Sequence, residues 1–133
     1  MTFLRRVLRA QAILWALAGA VLASVPARLH RDLLDQPPLP EYAWVRIAGV
    51  MAVVLAMLMV LVSEHLAELW WWTWSFALLA AGTATVAALN AAIGVAPGAP
   101  AWPWWVLATV NAVVGALDLI GLSRASRERP IVP

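Results

Sequence analysis

Four long apolar stretches, separated by short polar ones, dominate the chain. A membrane-crossing helix needs ~20 mostly apolar residues, because each adds about 1.5 Å and the hydrocarbon core is about 30 Å thick. Residues 7–25, 43–62, 69–93 and 102–122 meet that length. The first is flanked by Arg5, Arg6 and Arg9 and closed by Pro26. The second carries Arg46 near its start, the third has no charge, and the fourth is interrupted only by Asp118. What remains is too short for a second domain. The pattern predicts an all-α, integral membrane four-helix transmembrane bundle, with residues 1–133 forming a single membrane domain.

The segments between the stretches differ in kind. Pro97, Gly98, Ala99 and Pro100, with Pro103 close behind, predict a short neutral turn. Residues 26–35 open on a proline, which suits a first helical position. Leu29 and Leu33 fall on one side, and Arg28, His30, Arg31, Asp32 and Asp35 cover most of the rest. This reads as an interfacial helix stopped by Pro37 and Pro38, or equally as a solvated connector. The first stretch also has the outline of a secretion signal, with a basic start, an apolar run and Val21-Leu22-Ala23 as a cleavage site. Retention is the expectation, since it gives an even number of spans with both termini on one side.

Composition sharpens the membrane reading. The chain is 64% hydrophobic and 12% charged, with a mean hydropathy of +0.84. Soluble domains are nearer half apolar and a quarter charged, so the excess must face lipid or a partner. There is no cysteine, which removes disulfides, thiolate chemistry and Cys-ligated zinc. All nine basic residues are arginines. The net charge of +2 and their position at helix ends point to lipid headgroups rather than nucleic acid. Arg5, Arg6, Arg9, Arg124, Arg127 and Arg129 fall on the side of the termini, against Arg28, Arg31 and Arg46 on the other. That asymmetry predicts a multi-pass plasma-membrane protein with both termini in the cytoplasm. Tryptophans, which gather at membrane–water boundaries, agree. Trp44, Trp70, Trp71, Trp72, Trp74, Trp102, Trp104 and Trp105 open spans, and only Trp15 lies inside one.

Helices in lipid associate through small residues and occasional polar contacts. Rows at four-residue spacing are present in every span: Ala12, Ala16 and Ala20; Ala48, Ala52 and Ala56; Ala80, Ala84, Ala88 and Ala92; and Ala108, Ala112 and Ala116. On the fourth span Asn111, Gly115, Asp118 and Leu122 share a face, with Gly115 letting a neighbour approach the two polar groups. Thr83 and Asn90 share a face on the third.

Polar residues inside a membrane are the first places to look for function, which makes Arg46, Asn90, Asn111 and Asp118 the candidate positions. Asp118 reads either as a protonatable group in a proton or substrate path, or as a carboxylate accepting from Gln11, Arg9 or Arg6. Arg46 suits snorkelling to headgroups or a pair with Glu41. Asn90 and Asn111 suit hydrogen bonds between helices. Glu64, His65 and Glu68 would face one ion only if the second helix continued through them, and a solvated helix end is the simpler expectation. Neither His30 nor His65 lies in a span, so an intramembrane bis-histidine haem is not expected. No phosphate-binding glycine loop or nucleophile elbow is present, and no cofactor or metal is expected.

Arg46-Ile47-Ala48-Gly49 at the start of the second span and Ala116-Leu117-Asp118-Leu119 late in the fourth give the chain a resemblance to the DoxX-like group of small four-helix bacterial membrane proteins. The resemblance covers most of the chain in architecture and implies a four-helix bundle. For some members it implies a small membrane subunit linked to quinone-coupled oxidation. In length and span count the chain also resembles small multidrug exporters, which rely on a glutamate in their first helix; here that helix has Gln11 and Trp15 but no acid, and Asp118 would have to substitute. The expected role is non-enzymatic: an accessory or structural subunit in the lipid bilayer, packed against a partner membrane protein or another copy of itself. The alternatives are a small transporter or a quinone-linked redox subunit.

Overall fold

The computed structural model describes residues 1–128, and these are helical with no strand. Helix α1 spans Thr2–Ser24. A short α2, Pro26–Arg28, runs into a π-turn over Leu29–Leu33. Helix α3 spans Ala43–Glu64, and α4, Leu66–Leu69, leads through a 3-10 turn at Trp70–Trp72 into α5, Thr73–Leu89. A second π-turn, Asn90–Gly94, ends that helix, and α6 spans Trp102–Glu128. Thr2–Ser24, Ala43–Glu64, Leu66–Gly94 and Trp102–Arg127 are each long and apolar enough to cross a membrane.

The four spans lie where hydropathy places them, but the helices outrun the apolar stretches at the end that carries the termini. α1 begins at Thr2 rather than 7, and α6 continues past 122 to Glu128. Hydropathy marks where the apolar run stops; the helix continues because arginine, leucine and alanine are good helix formers. Arg129, counted above on the same side, lies outside the described residues.

The connections follow local rules. Ala99 N–H donates to the Ala96 carbonyl at 3.0 Å across Pro97-Gly98, with Gly98 at φ +85°. Proline followed by glycine suits a type II turn, which needs positive φ at its third position. The segment after Pro26 is helical as far as Leu33 and ends at Asp35, whose φ of +50° is a left-handed conformation that aspartate tolerates. Leu33 is 66% exposed while Leu29 is partly buried, so the apolar side of this short helix is covered only in part by the rest of the chain.

The helices pack as two antiparallel pairs. α1 lies along α3 and α5 along α6; the pairs meet chiefly where α1 touches α6, while α3 and α5 touch little except near the turn joining them. On α3 the buried positions are Gly49, Ala52, Ala56, Met59, Val62 and Ser63; they step by three and four as a helix-packing seam requires, and the seam widens at the last turn. The tightest approach is at Gly19 and Gly49: a Cβ on Gly19 would stand 2.6 Å from the Gly49 carbonyl oxygen, and one on Gly49 2.5 Å from the Ala23 nitrogen. Only glycine admits two backbones this closely.

The predicted alanine rows are used in part. Ala12, Ala52, Ala56, Ala80 and Ala108 are buried, whereas Ala20, Ala48, Ala92, Ala112 and Ala116 face outward. A four-residue step drifts around a helix that turns every 3.6 residues, so a strict row leaves the contact face along its length.

The core collects at the termini end. Leu4, Leu8, Ala12, Ala56, Met59, Val62, Leu66, Phe76 and Ala125 form one cluster, with Trp15 and Trp70 packed against it. Three polar contacts lie beside it. Arg5 Nε donates to the Ser63 carbonyl at 3.0 Å, Arg9 pairs with Glu64 at 2.7 Å, and the Arg124 guanidinium lies 4.7 Å from the centre of the Phe3 ring. At the opposite end, where the 25–42 and 95–101 connections lie, packing between the pairs is thinner. There Gln36 Nε2 donates to the Pro100 carbonyl at 2.9 Å and joins one connection to the other. Two exposed hydroxyls within the spans bond to their own helix: Ser24 donates to the Ala20 carbonyl and Thr85 to that of Ala81.

Candidate polar site at the junction of α1, α5 and α6

The face of α6 made by Asn111, Gly115, Asp118 and Leu122 is buried throughout, as the spacing predicts. Gly115 lies against Ala77 and Ala80 of α5, 3.4 Å from the Ala80 Cβ if it carried a Cβ of its own. One turn further, Asp118 comes level with the start of α5, while Gly121 beyond it rests on Leu4 of α1. Asp118 therefore sits where three helices converge, and it is completely buried.

Of the three donors expected for Asp118, the structure selects one. Arg9 is engaged with Glu64 and Arg6 is exposed, while the Gln11 carboxamide, itself only 1% exposed, approaches the Asp118 carboxyl. The approach does not close a hydrogen bond of good geometry: both Asp118 oxygens, both polar atoms of Gln11 and the Thr73 hydroxyl are buried without a partner in the chain. Buried polar atoms are nearly always bonded, so three side chains with five such atoms mark the most polar-strained place among the described residues. Thr73 is the first residue of α5 and is fully buried.

The other candidate positions are placed differently. Asn111 is buried, but its Nδ2 donates to the Leu107 carbonyl at 2.9 Å, four residues back on its own helix. Asn90 folds over Gly94 in its own π-turn, with Oδ1 occupying the space a Gly94 side chain would need. Neither asparagine bridges two helices, because each carboxamide finds its nearest neighbour within its own segment. Arg46 makes no pair with Glu41; it is exposed and lines a recess with Ser24, Val25, Pro26, Ala27 and Arg28. The four candidates do not form one constellation.

Glu64, His65 and Glu68 are not on one continuous helix. α3 ends at Glu64, and His65, at φ −106° and ψ 34°, breaks the run. Among the described residues no group of three His, Cys, Asp or Glu side chains is placed to hold a metal ion.

A half-open apolar groove of about 470 Å³ runs between α5 and α6, lined by Leu79, Gly82, Thr83, Val86, Trp104 and Leu107 among others. Leu79 also packs against the core, so the groove continues, toward the loop end, the side of α5 that the core covers at the termini end. A Cβ on Gly82 would meet nothing within 4 Å.

Sequence reasoning named Gln11 as one of three partners for Asp118 but did not find Thr73, the Gly19–Gly49 crossing or Gln36. The crossing had a signal: Gly19 and Gly49 are the only glycines of their spans, each flanked by alanines at helical spacing. No family model, curated protein or solved structure matches the chain.

Proposed function

We propose that this chain is a small accessory or structural subunit of a membrane complex, embedded in a bacterial inner membrane with both termini in the cytoplasm. The observation that carries the reading is the uneven closure of the bundle. The two helix pairs are packed together at the termini end, while toward the loop end a groove lies open along α5 and α6. Outward-facing Ala112 and Ala116 on α6 and the open space at Gly82 on α5 support it, since small residues let another transmembrane helix approach closely. The partner is a helix of another membrane protein or of a second copy. The arginine asymmetry supports the orientation, with Arg5, Arg6, Arg9, Arg124 and Arg127 at the termini end.

The test is purification from native membranes in mild detergent with the double substitution Ala112→Leu and Ala116→Leu as comparison. The wild-type chain is expected to run as a defined larger species, and the double variant as a monomer of unchanged helicity. A wild-type chain that runs as a lone monomer contradicts the reading.

The junction at Asp118 favours a second reading, a small transporter coupled to a proton or cation. A buried carboxylic group facing an amide, with further unpartnered polar atoms, is an uncommon expense for a purely structural bundle. Loss of ion-coupled uptake in proteoliposomes on Asp118→Asn would establish it over the first.

A further inference from the structure

The recess at the loop end has a chemistry of its own. It is a pocket of about 380 Å³ where α1 ends and α2 begins, lined by Ser24, Val25, Pro26, Ala27 and Arg28, with Arg46 of α3 on its other side. Two of its six lining residues are arginines from different helices. Neither guanidinium reaches an acid among the described residues, although Asp32, Asp35 and Glu41 lie in the same connection. At the opposite end Arg5, Arg9 and Arg124 make contacts within the chain, while Arg6 is exposed but lines no recess.

The walls are fixed by the tightest crossing in the molecule. Gly49 lies one turn after Arg46, against Leu22 and Ala23 at the end of α1. That crossing sets the spacing between the Arg46 backbone and the α1–α2 corner, so the two arginines are held on either side of one opening. From the recess toward the middle of the bundle the helices present apolar groups outward: Val21 on α1, and Ile47 and Val50 on α3. A concave site with two cations above and apolar side chains beneath fits an amphiphile whose head is an anion and whose tails lie along the helices.

We infer that the Arg28–Arg46 recess is a binding site for a phosphate group, supplied by the headgroup of an anionic phospholipid. It rests on the chain crossing a membrane and not on the identity of any partner helix. Guanidinium groups match phosphate oxygens in pairs of parallel N–H···O bonds, and two of them can share one phosphate. Asp32, Asp35 and Glu41 balance Arg28, Arg31 and Arg46 in net charge at this end, so attraction comes from the local pairing of Arg28 and Arg46 and not from the charge of that surface.

The test uses the full chain in phosphatidylcholine-containing detergent micelles, with phosphatidylglycerol as the probe and native mass spectrometry as the readout. The wild-type chain is expected to retain one phosphatidylglycerol in preference to phosphatidylcholine. The pair Arg28→Gln and Arg46→Gln is expected to lower that preference about tenfold or more. Arg31→Gln, at the same end but outside the recess, is expected to leave it unchanged. A preference that survives the double substitution, or that Arg31→Gln lowers equally, overturns the site. Displacement of the lipid by millimolar inorganic phosphate overturns the lipid as its source. Far-ultraviolet circular dichroism of each variant confirms that the exposed substitutions leave the helices intact, and every outcome is read on folded protein.

Discussion

At Gly19 and Gly49 one methyl group decides whether α1 and α3 can meet. The nearest atom a Cβ would strike at each position belongs to the backbone, which cannot rotate away as the end of a side chain can. Gly19→Ala and Gly49→Ala are each expected to destabilise the bundle by about 1–3 kcal/mol, read by steric trapping or thermal unfolding in detergent. Gly82→Ala, where a Cβ meets nothing, is expected to stay within about 0.5 kcal/mol of wild type. Equal effects at the three positions would show that the crossing is not as close as described. The pair Gln11 and Asp118 is tested by a double-mutant cycle. Because each faces the other in a buried site, Gln11→Leu with Asp118→Leu should cost less than the sum of the single changes, by about 0.5–2 kcal/mol. Strict additivity would separate the two residues. Asp118 and its face were legible in the sequence because the 3–4 step of Asn111, Gly115, Asp118 and Leu122 depends on one helix alone. Thr73 was not, since burial of a hydroxyl at a helix start depends on which elements pack over it.

Between elements, the structure differs from the sequence expectation mainly where a residue has a choice of partner. Asn111 was expected to reach across, but a carbonyl four residues back is always within range of a helical asparagine. The arginines near the N-terminus were expected among headgroups, yet Arg5 and Arg9 bond to Ser63 and Glu64 because α3 ends beside them. Glu64→Gln removes an exposed pair and is expected to cost less than about 1 kcal/mol, since such pairs are screened by solvent. Gln36 is more consequential for its size: it carries a hydrogen bond between the two loop-end connections. Gln36→Ala is expected to speed amide hydrogen exchange over residues 95–101 severalfold while leaving the termini end unchanged. No change there would mean that the connections are held independently. Neither choice is visible in sequence, because hydropathy places elements and says nothing about which loop meets which.

Across the whole molecule, the four spans and most of their boundaries were legible from length, hydropathy and the placement of tryptophan, all of which report on the bilayer rather than on a partner helix. How the spans group was not. Alanine rows in every helix suit close helix packing without saying which helices pair, and the structure forms two pairs joined mainly at one end, where the bulky contacts of Leu4, Leu8, Met59 and Phe76 lie. The described chain has no cysteine, so single cysteines can be introduced and labelled from each side of an intact membrane. The measurement that bears most directly on the account is such a labelling at four exposed positions, Pro38, Gly98, Glu68 and Ser126. The account predicts that an impermeant reagent applied outside intact cells labels the substitutions at Pro38 and Gly98, and reaches those at Glu68 and Ser126 only after the membrane is opened. Labelling of all four from the same side would contradict the four crossings on which everything else is built.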